Sequence, residues 1–212
     1  TRCTLSGGQA IESGANLSVF RSSQVEVSNC LIKEGQAGGS GAGILIDRSP
    51  RNDTYWSRVW IRNNTVVLNA GAGAAVSFTV HSKPDFANNI VASNSGAGGV
   101  TWDGTCEPVI RNNDVWGNAS DYVVVPDQTG LNGNISADPR FVDSSAQDFT
   151  LQQDSPCLDA GDGRTDEYRT ALDFAGGERA RGVEVDMGAW ERGTAPVLRL
   201  TVNYVPTTPA GG

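Results

Sequence analysis

Long apolar runs are missing from this chain of 212 residues. No segment approaches the roughly 18–20 apolar residues that a membrane-crossing helix needs, so no membrane insertion is expected. A basic surplus is missing too: 16 Lys and Arg stand against 24 Asp and Glu, for a formal net charge of −8. A nucleic-acid binder needs a basic face to displace counterions from phosphates, so no nucleic-acid partner is expected. Histidine is limited to His81, and no two of the four cysteines lie closer than 27 residues. A zinc site therefore has no ligand set. Helix formers never hold a 3.6-residue period for long, which removes the amphipathic helix as a building block.

What is present is β-rich. Hydrophobic residues make up 38% of the chain, and the length suits one domain with a continuous core. Fifteen Asn and clusters of Gly at 35–43, 71–73 and 96–99 mark many turns between short strands.

The chain repeats. Val27-Ser28-Asn29-Cys30-Leu31-Ile32, Ile61-Arg62-Asn63-Asn64-Thr65-Val66, Phe86-Ala87-Asn88-Asn89-Ile90-Val91 and Ile110-Arg111-Asn112-Asn113-Asp114-Val115 align without gaps, and Arg2-Cys3-Thr4-Leu5 resembles them. With Cys3, Cys30, Asn64, Asn89 and Asn113 as equivalents, the spacings are 27, 34, 25 and 24 residues. Second apolar strands follow at Leu17–Phe20, Ile44–Ile46, Ala74–Phe78 and Val100–Trp102. One such coil cannot bury its inward residues, but stacked coils share a core and pair backbone to backbone. Leucine-rich spacing is absent, so the pattern predicts an all-β, right-handed parallel β-helix of about five coils. Asn29, Asn63, Asn88 and Asn112 are expected to stack at one corner as a structural amide column.

The spacing of 34 marks an insertion of roughly nine residues within 47–58, and loops on a rigid scaffold often carry binding chemistry. Asp47, Arg51, Tyr55, Trp56 and Arg58 are the candidates for binding carbohydrate, the two aromatics by stacking on sugar rings.

The last third is different. Gly133-Asn134-Ile135-Ser136-Ala137-Asp138-Pro139-Arg140-Phe141-Val142-Asp143 leads to Asp148-Phe149-Thr150-Leu151, Ser155-Pro156-Cys157-Leu158-Asp159-Ala160-Gly161, Asp173-Phe174-Ala175-Gly176-Gly177 and Val185-Asp186-Met187-Gly188-Ala189-Trp190-Glu191. This run resembles the C-terminal end of bacterial right-handed β-helix repeat proteins of the pectate-lyase-like superfamily. The resemblance covers about residues 85–191 and implies the fold and an exported protein rather than any one activity. The segment is expected to cap the open end of the core with Phe141, Phe149, Leu151, Leu158, Met187 and Trp190. Residues 1–120 then form coils, 121–193 a C-terminal coil and cap of the same domain, and 194–212 an edge strand and flexible linker.

Cys3 and Cys30 occupy equivalent positions on adjacent coils, about 4.8 Å apart along the stack, within reach of a disulfide. A Cys106–Cys157 bridge would tie the cap to the last clear coil. Both suit a secreted or cell-surface protein. Five Asn-x-Ser/Thr sequons begin at Asn16, Asn52, Asn63, Asn118 and Asn134, and turn composition accounts for them.

If the second strands align, the turns after them share one face, with Asp47, His81, Lys83 and Asp103. β-Helix polysaccharide lyases use a basic residue to abstract a proton and a cation to neutralise a uronate. The resemblance thus makes His81 or Lys83 the base, with Asp103 nearby and Arg51 or Arg58 as neutraliser. Asp159, Asp162 and Asp166 lie on a Gly-containing loop and offer oxygen ligands of the kind calcium prefers. The leading expectation is an extracellular module that binds polysaccharide or a cell-surface glycan, or serves as an adhesive element of a larger exported protein. A non-catalytic scaffold and a polysaccharide lyase or hydrolase acting on acidic glycans are the alternatives. The chain opens at Thr1 in mid-motif, as expected of a piece of a larger protein, and its unpaired first coil predicts end-to-end contact with another β-helix segment.

Overall fold

The computed structural model describes residues 1–20, 24–47, 58–163, 172–179 and 181–193, without the side chains of Gln24 and Arg58. No helix occurs among the described residues. The strands follow one another in a recurring order: β1 (Thr4–Ser6), β2 (Gln9–Ala10), β3 (Leu17–Phe20) and β4 (Gln24–Ser28), then β5 (Leu31–Lys33), β6 (Gln36–Ala37), β7 (Ile44–Asp47) and β8 (Arg58–Arg62). Next come β9 (Thr65–Val67), β10 (Ala70–Thr79) and β11 (Asp85–Ala87), and after them β12 (Ile90–Ala92), β13 (Ser95–Trp102) and β14 (Val109–Arg111). β15 (Asp114–Trp116) begins the pattern once more, and β16 (Phe141–Asp143) and β17 (Asp148–Leu151) form a separate hairpin.

Three parallel sheets result. The first runs β1-β5-β9-β12-β15, the second β2-β6-β10-β7-β3 with β13 on β10, and the third β4-β8-β11-β14. Thr4 pairs with Leu31, Leu31 with Thr65, Thr65 with Ile90 and Ile90 with Asp114, so strands one repeat apart are hydrogen-bonded. The register is the one the repeat alignment predicts. This is an all-β, mostly parallel arrangement that fits a β-solenoid.

Inward residues stack in columns. Leu17, Ile44, Val76 and Val100 share one, and Val19, Ile46, Phe78 and Trp102 the next. With Ile32, Ile61, Val66, Phe86, Val91 and Val115 they fill one apolar interior, where Phe78 and Phe86 meet edge to face at 5.6 Å. Each such buried side chain contributes about 1.5–3 kcal/mol.

The amide column forms, but not where it was expected. Asn29, Asn63, Asn88 and Asn112 take left-handed φ values between 49° and 56°, a conformation Asn tolerates at turns. That turn aims the next side chain inward, so the ladder runs through Asn64, Asn89, Asn113 and Asn134. Asn64 Oδ1 accepts the Cys30 N–H, and the Oδ1 of Asn89, Asn113 and Asn134 each accepts both the backbone N–H and the Nδ2–H of the Asn one rung earlier, at 3.0 Å from Asn64 to Asn89. Each Nδ2 also donates to a backbone carbonyl, that of Asn89 to Ile61. A second ladder lies five residues on, at Asn69, Asn94 and Asn118, and ends on the Asp121 carboxylate. Asn16 donates into its other end, to Oδ1 of Asn69. The sequons at Asn16, Asn118 and Asn134 are therefore ladder positions, and Asn63 is buried.

The C-terminal segment lies along the side of the coils rather than over their end. Residues 118–135 add a partial turn at the end of the stack, with Val100 bridging Tyr122 and Asp114 bridging Ile135. The chain then packs Phe149, Leu151, Cys157 and Met187 onto Leu31, Val67, Ile90 and Ala92, the outer face of the first sheet. Gly188 N–H donates to Asn88 O at 2.8 Å, and Ala189 N–H to Thr65 Oγ1 at 3.0 Å. The reason is compositional: these short strands are apolar on both faces and need a second cover. The expected edge strand and linker at 194–212 lie outside the described residues.

All four cysteines are thiols. The expected Cys106–Cys157 bridge does not form, because Cys106 sits in the coil interior and Cys157 in the lateral core. Cys3 and Cys30 are not joined either: their thiols donate to the carbonyls of Thr1 and Ser28.

Candidate functional site

The turns after the second strands do share a face, since Phe20, Asp47 and Thr79 are in register and Asp103 N–H donates to Phe78 O. Asp47 is half-buried, and its Oδ1 has no hydrogen-bond partner among the described residues. Arg51, Tyr55 and Trp56 and the side chain of Arg58 lie outside the described residues.

The other residues expected there hold the turns together. Asp103 Oδ2 accepts Val80 N–H at 2.7 Å, and Oδ1 accepts the N–H and hydroxyl of Thr105. Burial pushes this carboxyl up, but the bonds from Thr105, Val80 and Cys106 outweigh it and hold it below the usual range. His81 donates its backbone N–H to Thr105 Oγ1. Lys83 pairs with Glu107 at the exposed surface. This cluster is built as interlocked turns.

Of the three expected calcium ligands, two lie among the described residues, and both are engaged with protein groups. Asp159 Oδ1 accepts the N–H groups of Val183 and Glu184, while Asp162 faces Arg111 at 3.5 Å. Asp166 lies outside the described residues, and among the described residues no group of three His, Cys, Asp or Glu side chains is placed to hold a metal.

The third sheet carries a more capable surface. Alternation turns Val59, Ile61, Phe86 and Ile110 into the core and leaves Trp60, Arg62, Asp85, Val109 and Arg111 on the outer face. Trp60, Asp85 and Val109 form one cross-strand row, and Arg62, Ala87 and Arg111 the next. Arg62 and Arg111 both donate to the Asp85 carboxylate, and Arg111 extends the chain of charges to Asp162. The Arg62 guanidinium lies 5.9 Å from the centre of the half-buried Trp60 ring. At the Arg111 end the face opens into a cleft of about 490 Å³, lined by Val109, Arg111, Asn112, Gly133, Asp162 and Glu184 among others. A flat indole beside a row of paired donors and acceptors is chemistry for a ring with several hydroxyls.

The sequence signal for this face was the repeated Ile-Arg-Asn-Asn at 61–64 and 110–113, which places both arginines. Trp102 sits half-buried and packs against the coil interior instead.

Comparison with known proteins returns nothing: no family model, no curated protein and no solved structure matches this chain.

Proposed function

We propose that the chain is a carbohydrate-binding module built on a right-handed parallel β-helix of about five coils, of the pectate-lyase-like kind and exported to the cell surface or beyond. One observation carries the glycan reading: the outer face of β8, β11 and β14 sets Trp60 beside the row Arg62–Asp85–Arg111–Asp162 and ends in a cleft. The indole supplies an apolar platform, and the half-buried Asp85, Arg111 and Asp162 exchange partners with ring hydroxyls at little cost in new ordering. The insertion at 47–58 leads directly into β8, so its Tyr55 and Trp56 are the nearest aromatics in sequence. The unpaired edges of β1, β3 and β4 suit contact with a further β-helix segment.

The scaffold reading draws on a separate observation: the charges of this face already satisfy one another. Co-sedimentation with a panel of insoluble and gel-embedded polysaccharides separates the two. A glycan-binding module is retained by at least one polysaccharide, and Trp60→Ala weakens retention about tenfold. A scaffold shows no retention above an unrelated acidic protein.

A further inference from the structure

A second cleft lies on the lateral cover, away from the third sheet. It encloses about 630 Å³ between the turn Asp173–Gly177, the hairpin residues Val142, Thr150 and Leu151, and Trp190, Arg181 and Arg192. Two arginines, Arg181 and Arg192, and two carboxylates, Asp173 and Glu191, line it. Elsewhere among the described arginines, Arg62, Arg111 and Arg140 each end on an aspartate. Arg181 and Arg192 are exposed and form no ion pair among the described residues, although the chain carries a net charge of −8.

The backbone is shaped to receive them. Gly176 adopts a φ of 86°, and Gly177 lets the Arg181 guanidinium lie on the turn: a Cβ there would come within 2.9 Å of its Nη2. Arg2 reaches the same turn, its Nη1 about 3.5 Å from where a Gly176 Cβ would sit. Arg192 is fixed by its bond to Leu151 O.

The two carboxylates that line the cleft, Asp173 and Glu191, are held by backbone donors. Asp173 accepts the N–H groups of Gly177 and Glu191, and Glu191 accepts Asp186 N–H and faces Arg179 at 3.9 Å. Arg179 is fully buried, with Nε and Nη1 unbonded, and its charge is set against those of Glu191, Asp186 and Asp173. Trp190 forms one wall and is braced by Phe174 at 4.7 Å between ring centres.

Unpaired guanidiniums over a glycine turn, with an indole alongside, select a planar or tetrahedral oxyanion attached to a flat apolar body. We propose that this cleft is a binding site for an anionic saccharide, the anion being a carboxylate or a sulfate ester held by Arg181 and Arg192 and the sugar ring lying on Trp190. The proposal rests on the glycan reading for its sugar, and on the arginines alone for its anion.

Calorimetric titration of the full chain tests it, with digalacturonate, a sulfated chondroitin disaccharide, neutral cellobiose and sodium sulfate as probes. At least one anionic disaccharide binds ten times tighter than cellobiose and than sulfate alone, and weakens as NaCl rises. Arg181→Gln and Arg192→Gln each cost about tenfold, Arg192→Lys recovers part of the loss, and Arg140→Gln, in the exposed Arg140–Asp154 pair, changes nothing. Unchanged thermal midpoints show that these variants are folded. Anionic disaccharides binding no better than cellobiose overturns the proposal, as does binding that survives the double arginine variant. Sulfate alone matching the disaccharides removes the sugar and overturns it too. A failed co-sedimentation of neutral glycans with an intact anionic response sinks the Trp60 reading and leaves this one standing.

Discussion

Asn64 gives both its backbone N–H and its side-chain Nδ2–H to a single atom, Oδ1 of Asn89, each at 3.0 Å. The pair is fully buried, so each amide is satisfied only because the next rung repeats it. Asn89→Ala leaves the Asn64 backbone N–H without a partner and its Nδ2 with Val27 O alone, and opens a void. The expected loss is about 3 kcal/mol in urea unfolding. Asn63→Gly, one residue before the ladder at a left-handed corner, is expected to cost less than about 1 kcal/mol. Equal losses would mean that the corner and not the ladder holds the stack.

The lateral cover contributes a pH dependence of opposite sign to the usual carboxylate. Burial raises Asp114 to about 7 against the bonds from Ala137 and Cys157, and burial raises Glu191 to about 8. The folded state thus holds these protons more tightly than the unfolded chain does. Their stabilisation is complete below about pH 4 and is lost as pH rises through 7 and 8. The urea midpoint should fall between pH 6 and 9, by an amount on the order of 2 kcal/mol, and Asp114→Asn should flatten the lower part of that fall. A midpoint that rises over this range contradicts the assignment.

The thiols separate by exposure. Cys3 is exposed, while burial raises the thiols of Cys30, Cys106 and Cys157. One thiol should react rapidly with a disulfide reagent in the native protein and four after denaturation. A reductant should leave the melting temperature unchanged.

Gly188 fastens the cover. Its φ is 90°, and a Cβ there would meet Ile90 Cδ1 at 2.7 Å and Thr65 Oγ1 at 3.0 Å. Gly188→Ala is expected to destabilise by about 2 kcal/mol and to open residues 136–193 to limited proteolysis before the coils. Cleavage that begins in the coils would contradict this order.

The sequence made the stack legible because backbone pairing and side-chain stacking obey the same spacing. The series Cys3, Cys30, Asn64, Asn89, Asn113 predicts the strand register found. The inward columns were equally plain, since Ile44 and Val76 alternate with outward residues as a strand requires. Which Asn of each pair turned inward was not plain, because only the backbone φ distinguishes Asn88 from Asn89. The second ladder was recoverable from the recurrence of Asn69, Asn94 and Asn118 at 25 and 24 residues. The cover was misplaced for a different reason. An apolar segment shows that it must be buried, not against which face, and the outward Val67, Ile90 and Ala92 decide that. Candidate sites were the least legible. Asp103 and Lys83 carry the right chemistry, but Asp103 bonds to Thr105 in its own turn and Lys83 to Glu107 in the turn one repeat on. The outer row from Trp60 to Asp162 is assembled from three strands and the cover, which no local motif announces.

The most direct test of glycan binding is an amide and indole NMR titration of the intact chain with oligosaccharides from the polysaccharide that retains it. Trp60 Nε1–H and the amides of Arg62, Asp85, Arg111 and Asp162 should shift together and saturate with one affinity. Saturating shifts that spare Trp60 and this row, or no shift with any oligosaccharide, would contradict the assignment of this face as the binding surface.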